Sequence, residues 1–263
     1  MLPPPMLAIR KLSTGDCEIA SGSIRGETLM RIRWFLFLSG CAVSLQAQSV
    51  RENPPQPDGR RLRLGTDTLA VFVVRQGQQQ RTGLIIDRLD TVRVDGEVRL
   101  RRVYLRVDAV LGDGVDTLVD HFPDLTLRGV RSRSEGGGTE TLDWRAGRLT
   151  GIVAQPGKPP RTIDMEAPRA PYSSASFDLI LRASDLSDGY AVAMPAYSGR
   201  QGARNLSARV AGSDVQPGFG DTWRVEADFA GLSVTFWIVK TSRRVVRQVI
   251  RATPGTELLL VAK

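Results

Sequence analysis

Alternation of apolar and polar residues with a period of two dominates this chain from about residue 61 to its end. Between Thr68 and Arg75 it puts Leu69, Val71 and Val73 on one face of an extended segment. Residues two apart share a face of a strand, so the pattern predicts one dry side and one wet side. Leu84-Ile85-Ile86 and Thr91 to Val94 read as two short strands. Asp95-Gly96 predicts a tight hairpin turn into Val98 to Val107, because both residues accept the positive φ such turns need. Asp113-Gly114 leads into Val115 to Phe122, followed by Leu125 to Arg133 and the glycine tip Gly136-Gly137-Gly138. Thr139 to Trp144 and Arg148 to Ala154 flank Arg145-Ala146-Gly147, a further hairpin.

The last third alternates most clearly. Trp223, Val225, Ala227 and Phe229 alternate with Arg224, Glu226 and Asp228. Ala230-Gly231 turns the chain, and Leu232, Val234, Phe236 and Ile238 continue the apolar face. Thr241-Ser242-Arg243 turns it into Val245 to Arg251, and Thr253-Pro254-Gly255 leads to the closing strand Leu258 to Val261. One segment breaks the rhythm. Within Ala175 to Leu186, Phe177, Ile180 and Leu181 fall at helical spacing, with Tyr172-Ser173-Ser174 before them and Asp188-Gly189 after. The serines can cap this helix, and so apolar a helix must pack on one face of the sheet. The fold expected over 61–263 is therefore mainly β: a single antiparallel meandering sheet forming a half-open barrel or sandwich around one short packed α-helix. Trp223, Val225, Phe229, Phe236 and Ile238 should share a core with Phe177, Ile180 and Leu181.

Upstream, the pattern changes. Arg51-Glu52-Asn53-Pro54-Pro55-Gln56-Pro57-Asp58-Gly59 is rich in proline, and 48–60 reads as a tether. Met30-Arg31-Ile32-Arg33 precedes the apolar run Trp34 to Leu45, then Gln46-Ala47. A basic start, an apolar stretch of about 12 residues and a small residue before a polar one describe a signal peptide over 30–47. Spanning a bilayer takes about 20 apolar residues, so the run does not read as a membrane helix. Residues 1–29 carry no targeting pattern and read as an over-extended N-terminus. The expected location is exported, in the periplasm or cell envelope. Leu38-Ser39-Gly40-Cys41 also fits a lipobox, and the alternative to cleavage near Ala47 is a lipid anchor on Cys41.

The cysteines are Cys17 and Cys41, so the chain after Ala47 has no disulfide, thiolate nucleophile or cysteine metal site. The net charge is +8 at pH 7, and after Ala47 the lysines are just Lys158, Lys240 and Lys263. Arginine's fork suits anionic lipid or polysaccharide. A nucleic-acid partner is not expected without a basic face interleaved with aromatics. Sequence motifs for a serine nucleophile elbow, a phosphate loop, a dinucleotide fold or a zinc protease are absent, so no cofactor and no enzyme activity are expected. His121 is the single histidine, at what reads as a strand end, and one imidazole makes a poor zinc site. Asp113, Asp116, Asp120 and Asp124 lack the spacing of a calcium loop. The most suggestive charged set is Arg243, Arg244, Arg247 and Arg251, the candidate ligand-binding residues. Arg247 and Arg251 should share a face of the return strand with Val245 and Val249 between them. That face either discourages strand addition or faces a phosphate or carboxylate.

The helix Phe177-Asp178-Leu179-Ile180-Leu181-Arg182, with an arginine near its end, precedes hairpins at Trp223 to Phe229, Thr235-Phe236-Trp237-Ile238 and Arg244-Val245-Val246-Arg247. This order resembles a family of exported bacterial β-sheet proteins of uncharacterised function. It is distantly similar to the ending of lipoprotein carriers and outer-membrane lipoprotein-sorting proteins. That resemblance implies a half-open barrel whose concave face holds acyl chains, with a lipid or other envelope component as partner. The chain departs from the carriers in having one convincing helix. The function expected is a non-enzymatic, exported cell-envelope protein that binds an amphiphile. A structural or interaction module with a filled core is the alternative, and a hydrolase of unknown type is third. A continuous apolar cavity of several hundred Å3 separates the first two.

Overall fold

The computed structural model describes residues 57–229, 232–253 and 255–263. The reading of 1–29, the signal peptide at 30–47, Cys41 and most of the tether lie outside the described residues, as does the Phe229 side chain.

Among the described residues, fifteen strands form one sheet, ordered β8-β7-β6-β5-β4-β3-β2-β1-β15-β14-β13-β12-β11-β10-β9. The first four are β1 (Gly65–Arg75), β2 (Gln78–Val94), β3 (Glu97–Asp108) and β4 (Gly114–His121). Four more complete that arm: β5 (Leu127–Ser134), β6 (Thr139–Arg145), β7 (Arg148–Ala154) and β8 (Arg161–Glu166). After the two-residue β9 (Tyr172–Ser173) come a 3-10 turn at Ser174–Ser176 and the helix α1 (Phe177–Ala183). The chain then runs through β10 (Ala191–Ser198), β11 (Gly202–Gln216) and β12 (Gly220–Phe229). It ends with β13 (Leu232–Val239), β14 (Val245–Thr253) and β15 (Thr256–Ala262). Neighbouring strands are antiparallel except β9 and β10, which run parallel.

The sheet is a double meander whose arms meet where the first and last strands pair, with Leu69 opposite Ala262 and Val73 opposite Leu258. The arms also approach at their far ends. Tyr172 bridges Thr126 on one side and pairs with Ala196 of β10 on the other. Leu127 N–H donates to the Pro171 carbonyl at 2.7 Å. A single extended segment thus stitches the start of β5 to β10, which bends the sheet into a barrel-like wall. Beyond the stitch, β6–β8 lean on β10 through Glu140, which accepts from Gly199 N–H at 3.0 Å, and through Arg161, which donates to the Gly199 carbonyl.

The hairpins follow the turn chemistry of the sequence. Asp95 and Gly96 have φ of 54° and 80°, and Ala146 and Gly147 have 48° and 78°. Such primed turns match the right-handed twist of the flanking strands. The two short strands expected at Leu84–Ile86 and Thr91–Val94 are one continuous strand, β2, because Asp87 and Asp90 between them point to opposite faces and find arginine partners there. Four strands were not expected from alternation: β8, β9, β10 and β11. β9 has two residues and β8 and β11 have few apolar positions, so pairing to neighbours orders them, whereas β10 does alternate, with Val192, Met194 and Ala196 buried.

The helix is shorter than the Ala175–Leu186 expected: it ends at Ala183, where the Ser184 backbone turns extended. Its capping differs as well. Ser173 accepts from Ala175 N–H at 3.2 Å and caps the 3-10 turn, whereas Ser176, at the helix N-cap, makes no capping bond and donates to Asp120. Leu179, Ile180 and Leu181 are fully buried. The helix and the concave side of the sheet form one core that holds Phe177, Ile180, Leu181, Val225, Phe236 and Ile238, with Trp223 packed against it. Phe177 meets Phe236 edge to face at 6.4 Å between ring centres, a favoured geometry for aromatic pairs.

Candidate functional site: a half-polar cavity inside the barrel

Strand alternation decides which side chains enter the barrel. On β14, Val245, Gln248 and Ile250 line the interior, with a register shift beside Val245. Leu69 of β1, Leu118 of β4 and Val234 and Phe236 of β13 line it as well, as do Leu232 and Phe177. Together they bound a cavity of about 250 Å3 beside α1, whose other walls are Asp67, Asp87, Arg102, Tyr104, Asp116, Asp178 and Arg182. Thus the helix fills part of the barrel and leaves a space with both apolar and charged residues on its walls.

The charged side is an ordered network. Arg102 on β3 is 6% exposed and donates to both oxygens of Asp87 on β2, each at 2.8 Å. It also donates to Asp178 of α1 at 2.6 Å and to the Ala175 carbonyl at 3.1 Å. Burial opposes its charge, but Asp178 and Asp87 outweigh burial and hold its pKa well above the ordinary value. Its guanidinium lies over the Tyr104 ring, 4.9 Å from the centre. Burial pushes the Tyr104 phenol up, so it stays protonated. Asp67 accepts from Arg244 at 2.6 Å, and Asp116 accepts from Ser132.

Arg182, in the last turn of α1, is 2% exposed. Its Nε donates to the Arg243 carbonyl at 2.8 Å, its Nη1 stands 3.9 Å from Asp178, and its Nη2 has no partner. Burial lowers its pKa, with Asp178 and Asp87 opposing.

A second hollow of about 320 Å3 adjoins this cavity across Asp116, Ser174 and Ala175. It is polar, lined by Arg106, Arg133 and Arg200 with Ser132, Ser134, Ser173 and Ser198.

The four arginines expected to hold a ligand are not brought together. None of Arg243, Arg244, Arg247 and Arg251 lines the cavity. Arg243 donates to the Ser184 carbonyl at 3.1 Å, beside the end of α1. Arg244 is taken by Asp67, Arg247 lies over the Trp237 ring at 4.8 Å, and Arg251 pairs with Glu257 at 3.0 Å. The register shift also moves Val245 to the inner side, away from Arg247 and Arg251. The residues that do line the cavity, Arg102 and Arg182, sit among many arginines and carry no motif. The one signal was an arginine near the end of a helix whose other residues, apart from Asp178, are apolar.

His121 ends β4 with its ring edge to face on Trp144 at 5.6 Å, and burial lowers its pKa. The four aspartates disperse. Asp113 accepts from Asp108 N–H, Asp124 accepts from Thr126, and Asp120 is buried against Ser176. Among the described residues, no three acidic, histidine or cysteine side chains gather as a metal site.

Residues 73–256 match the family described as "Protein of unknown function (DUF3108)". The chain belongs to this family. No curated protein matches it in sequence. Among solved structures, it is similar to a beta-barrel-like protein of the domain of unknown function DUF1849 from Brucella abortus. That likeness has a TM-score of 0.48 at 8% identity and covers 77% of this chain and 97% of the other. The family match does not extend to the expected likeness to lipoprotein carriers.

Proposed function

We propose that this DUF3108 protein is a non-enzymatic binding protein that takes the apolar part of a small amphiphile into the barrel. The carrying observation is the cavity of about 250 Å3 lined by Leu69, Leu118, Phe177, Val234, Phe236 and Ile250 together with a charged network. Pockets for small molecules have this make-up: mostly apolar walls with a few placed polar groups. The volume lies just under the usual range of about 300–1,000 Å3, which favours a compact ligand or the end of a longer chain. The signal-like segment at 30–47 supports placing this activity in the cell envelope.

Native mass spectrometry of the protein produced with its own N-terminus tests the reading. A co-purified amphiphile is expected, and it should be lost in Val234→Trp, which fills the cavity. A protein free of ligand that also fails to bind added neutral and acidic amphiphiles would favour the filled interaction module. N-terminal sequencing of the same sample, with Cys41→Ser beside it, decides between cleavage near Ala47 and acylation of Cys41.

A further inference from the structure

We propose that the second, polar hollow binds the head of the amphiphile, and that this head is an uncharged, hydroxyl-rich group of the sugar-ring kind. This rests on the binding reading above and names the ligand's chemistry. Strand alternation turns the polar side chains of the hollow inward together. Asp116, Ser132 and Glu140 stand side by side across β4, β5 and β6, and Arg106 of β3 lies in the next row, opposite Gly114. The glycine makes room, since a Cβ there would come within 2.9 Å of the Arg106 guanidinium. Each of these charged groups is held on one side by a neutral partner. Arg106 Nε donates to the Gly112 carbonyl at 2.8 Å, Ser132 donates to one oxygen of Asp116, and Gly199 N–H donates to one oxygen of Glu140 at 3.0 Å. Both terminal nitrogens of Arg106, the second oxygens of Asp116 and Glu140, and the Ser174 hydroxyl have no partner among the described residues. None of these atoms is closed off from solvent, in contrast to the Arg182 nitrogen, so a ligand in the hollow can reach them.

The balance of charge decides the kind of head. Arg106 and Arg200 stand against Asp116 and Glu140 around the hollow. Arg133 sits opposite Val115 in the register, on the outer face, and does not disturb this balance. A cation or an anion would each meet a like charge there. A hydroxyl both donates and accepts, so a polyol can serve Arg106 and the two carboxylates at once. Hydrogen bonds with one charged partner are the stronger kind. At about 320 Å3 the hollow falls within the usual range for small-molecule pockets, about 300–1,000 Å3. It meets the apolar cavity across Asp116, Ser174 and Ala175, so the head and chain of one molecule can occupy both spaces.

Calorimetry on the full chain compares octyl glucoside with octanol, octanoate, octylammonium and octyl phosphocholine, each below its micelle concentration, and with free glucose. Octyl glucoside should bind at least about tenfold tighter than each of the others, the yield of one hydrogen bond to a charged group. Its affinity should not change with added salt, because the ligand carries no charge to screen. Ser198→Phe, which fills the hollow, should lower octyl glucoside to the level of octanol and leave octanol unchanged. If this variant does not fold, the parent's own ranking of the ligands still decides. Tighter binding of any charged octyl compound would overturn the uncharged head. Equal binding of octanol and octyl glucoside, lost in Val234→Trp, would overturn the role of the hollow and leave the cavity reading standing. Free glucose binding as tightly as octyl glucoside would overturn the joint use of the two spaces. Binding of none of them would overturn both readings.

Discussion

Asp120 ends up fully buried near the end of β4, with one oxygen accepting from Ser176 at 2.6 Å and the other without a partner. Burial raises its pKa to about 7, while Ser176 and Arg102 pull the other way. An unfolded aspartate titrates near about 3.9, so the folded protein holds this proton more tightly. The sign follows from linkage: Asp120 costs nothing below about pH 4, and stability falls as pH rises from there towards about 7. In urea titrations, the parent should lose stability between about pH 4 and about pH 7 relative to Asp120→Asn, with no further loss above that. Parallel pH profiles for the two would show that Asp120 ionises normally. Phe236 presents a simpler case. It is 4% exposed, packed edge to face on Phe177, so Phe236→Ala should cost about 3–5 kcal/mol. A loss under about 1 kcal/mol would take this residue out of the core.

At the scale of elements, α1 spans seven residues, too short to persist alone in water. Two things hold it: its apolar side chains, all buried, and the clamp from Arg102 through Asp178 and the Ala175 carbonyl. Buried ion pairs seldom add net stability, but losing one partner strands the other charge. Arg102→Leu should therefore destabilise the protein by about 3–5 kcal/mol. Adding Asp87→Asn to that variant should recover much of the loss, since Asp178 then remains for Arg182 and no uncompensated charge is left. Denaturant midpoints of the single and double variants check this, and additive losses would show that the network is not a unit.

For the whole molecule, the decisive fact is where the two ends of the described fold meet. β1 and β15 pair in the middle of the sheet, so the first strand is its centre with the last beside it, and β8 is an edge. Leu259 and Leu260 of β15 are buried, with β1 and β14 bonded on either side. A chain ending at Gly255 should lose the joint between both arms and show no cooperative thermal transition by circular dichroism. If the shortened chain melts cooperatively near the parent's temperature, the arms are independent units.

Much of this was legible in the residues themselves. Alternation is a local property, so Leu69-Val71-Val73 and Trp223-Val225 announced strands, and Asp95-Gly96 and Ala146-Gly147 announced their turns. The helix around Phe177–Leu181 stood out by its changed period, and so did its burial with Phe236 and Ile238. Site chemistry did not follow, for a physical reason. Which of many arginines becomes buried depends on how far the sheet curls, on the stitch from Thr126 through Tyr172 to Ala196, and on a register shift beside Val245. These are relations between residues far apart in the chain, with no local spacing to reveal them. Sequence alone therefore determined a meandering β fold with one packed helix. Tertiary structure alone decided that Arg102 and Arg182 line the cavity, while Arg244 holds Asp67 of its wall and Arg243, Arg247 and Arg251 serve partners elsewhere.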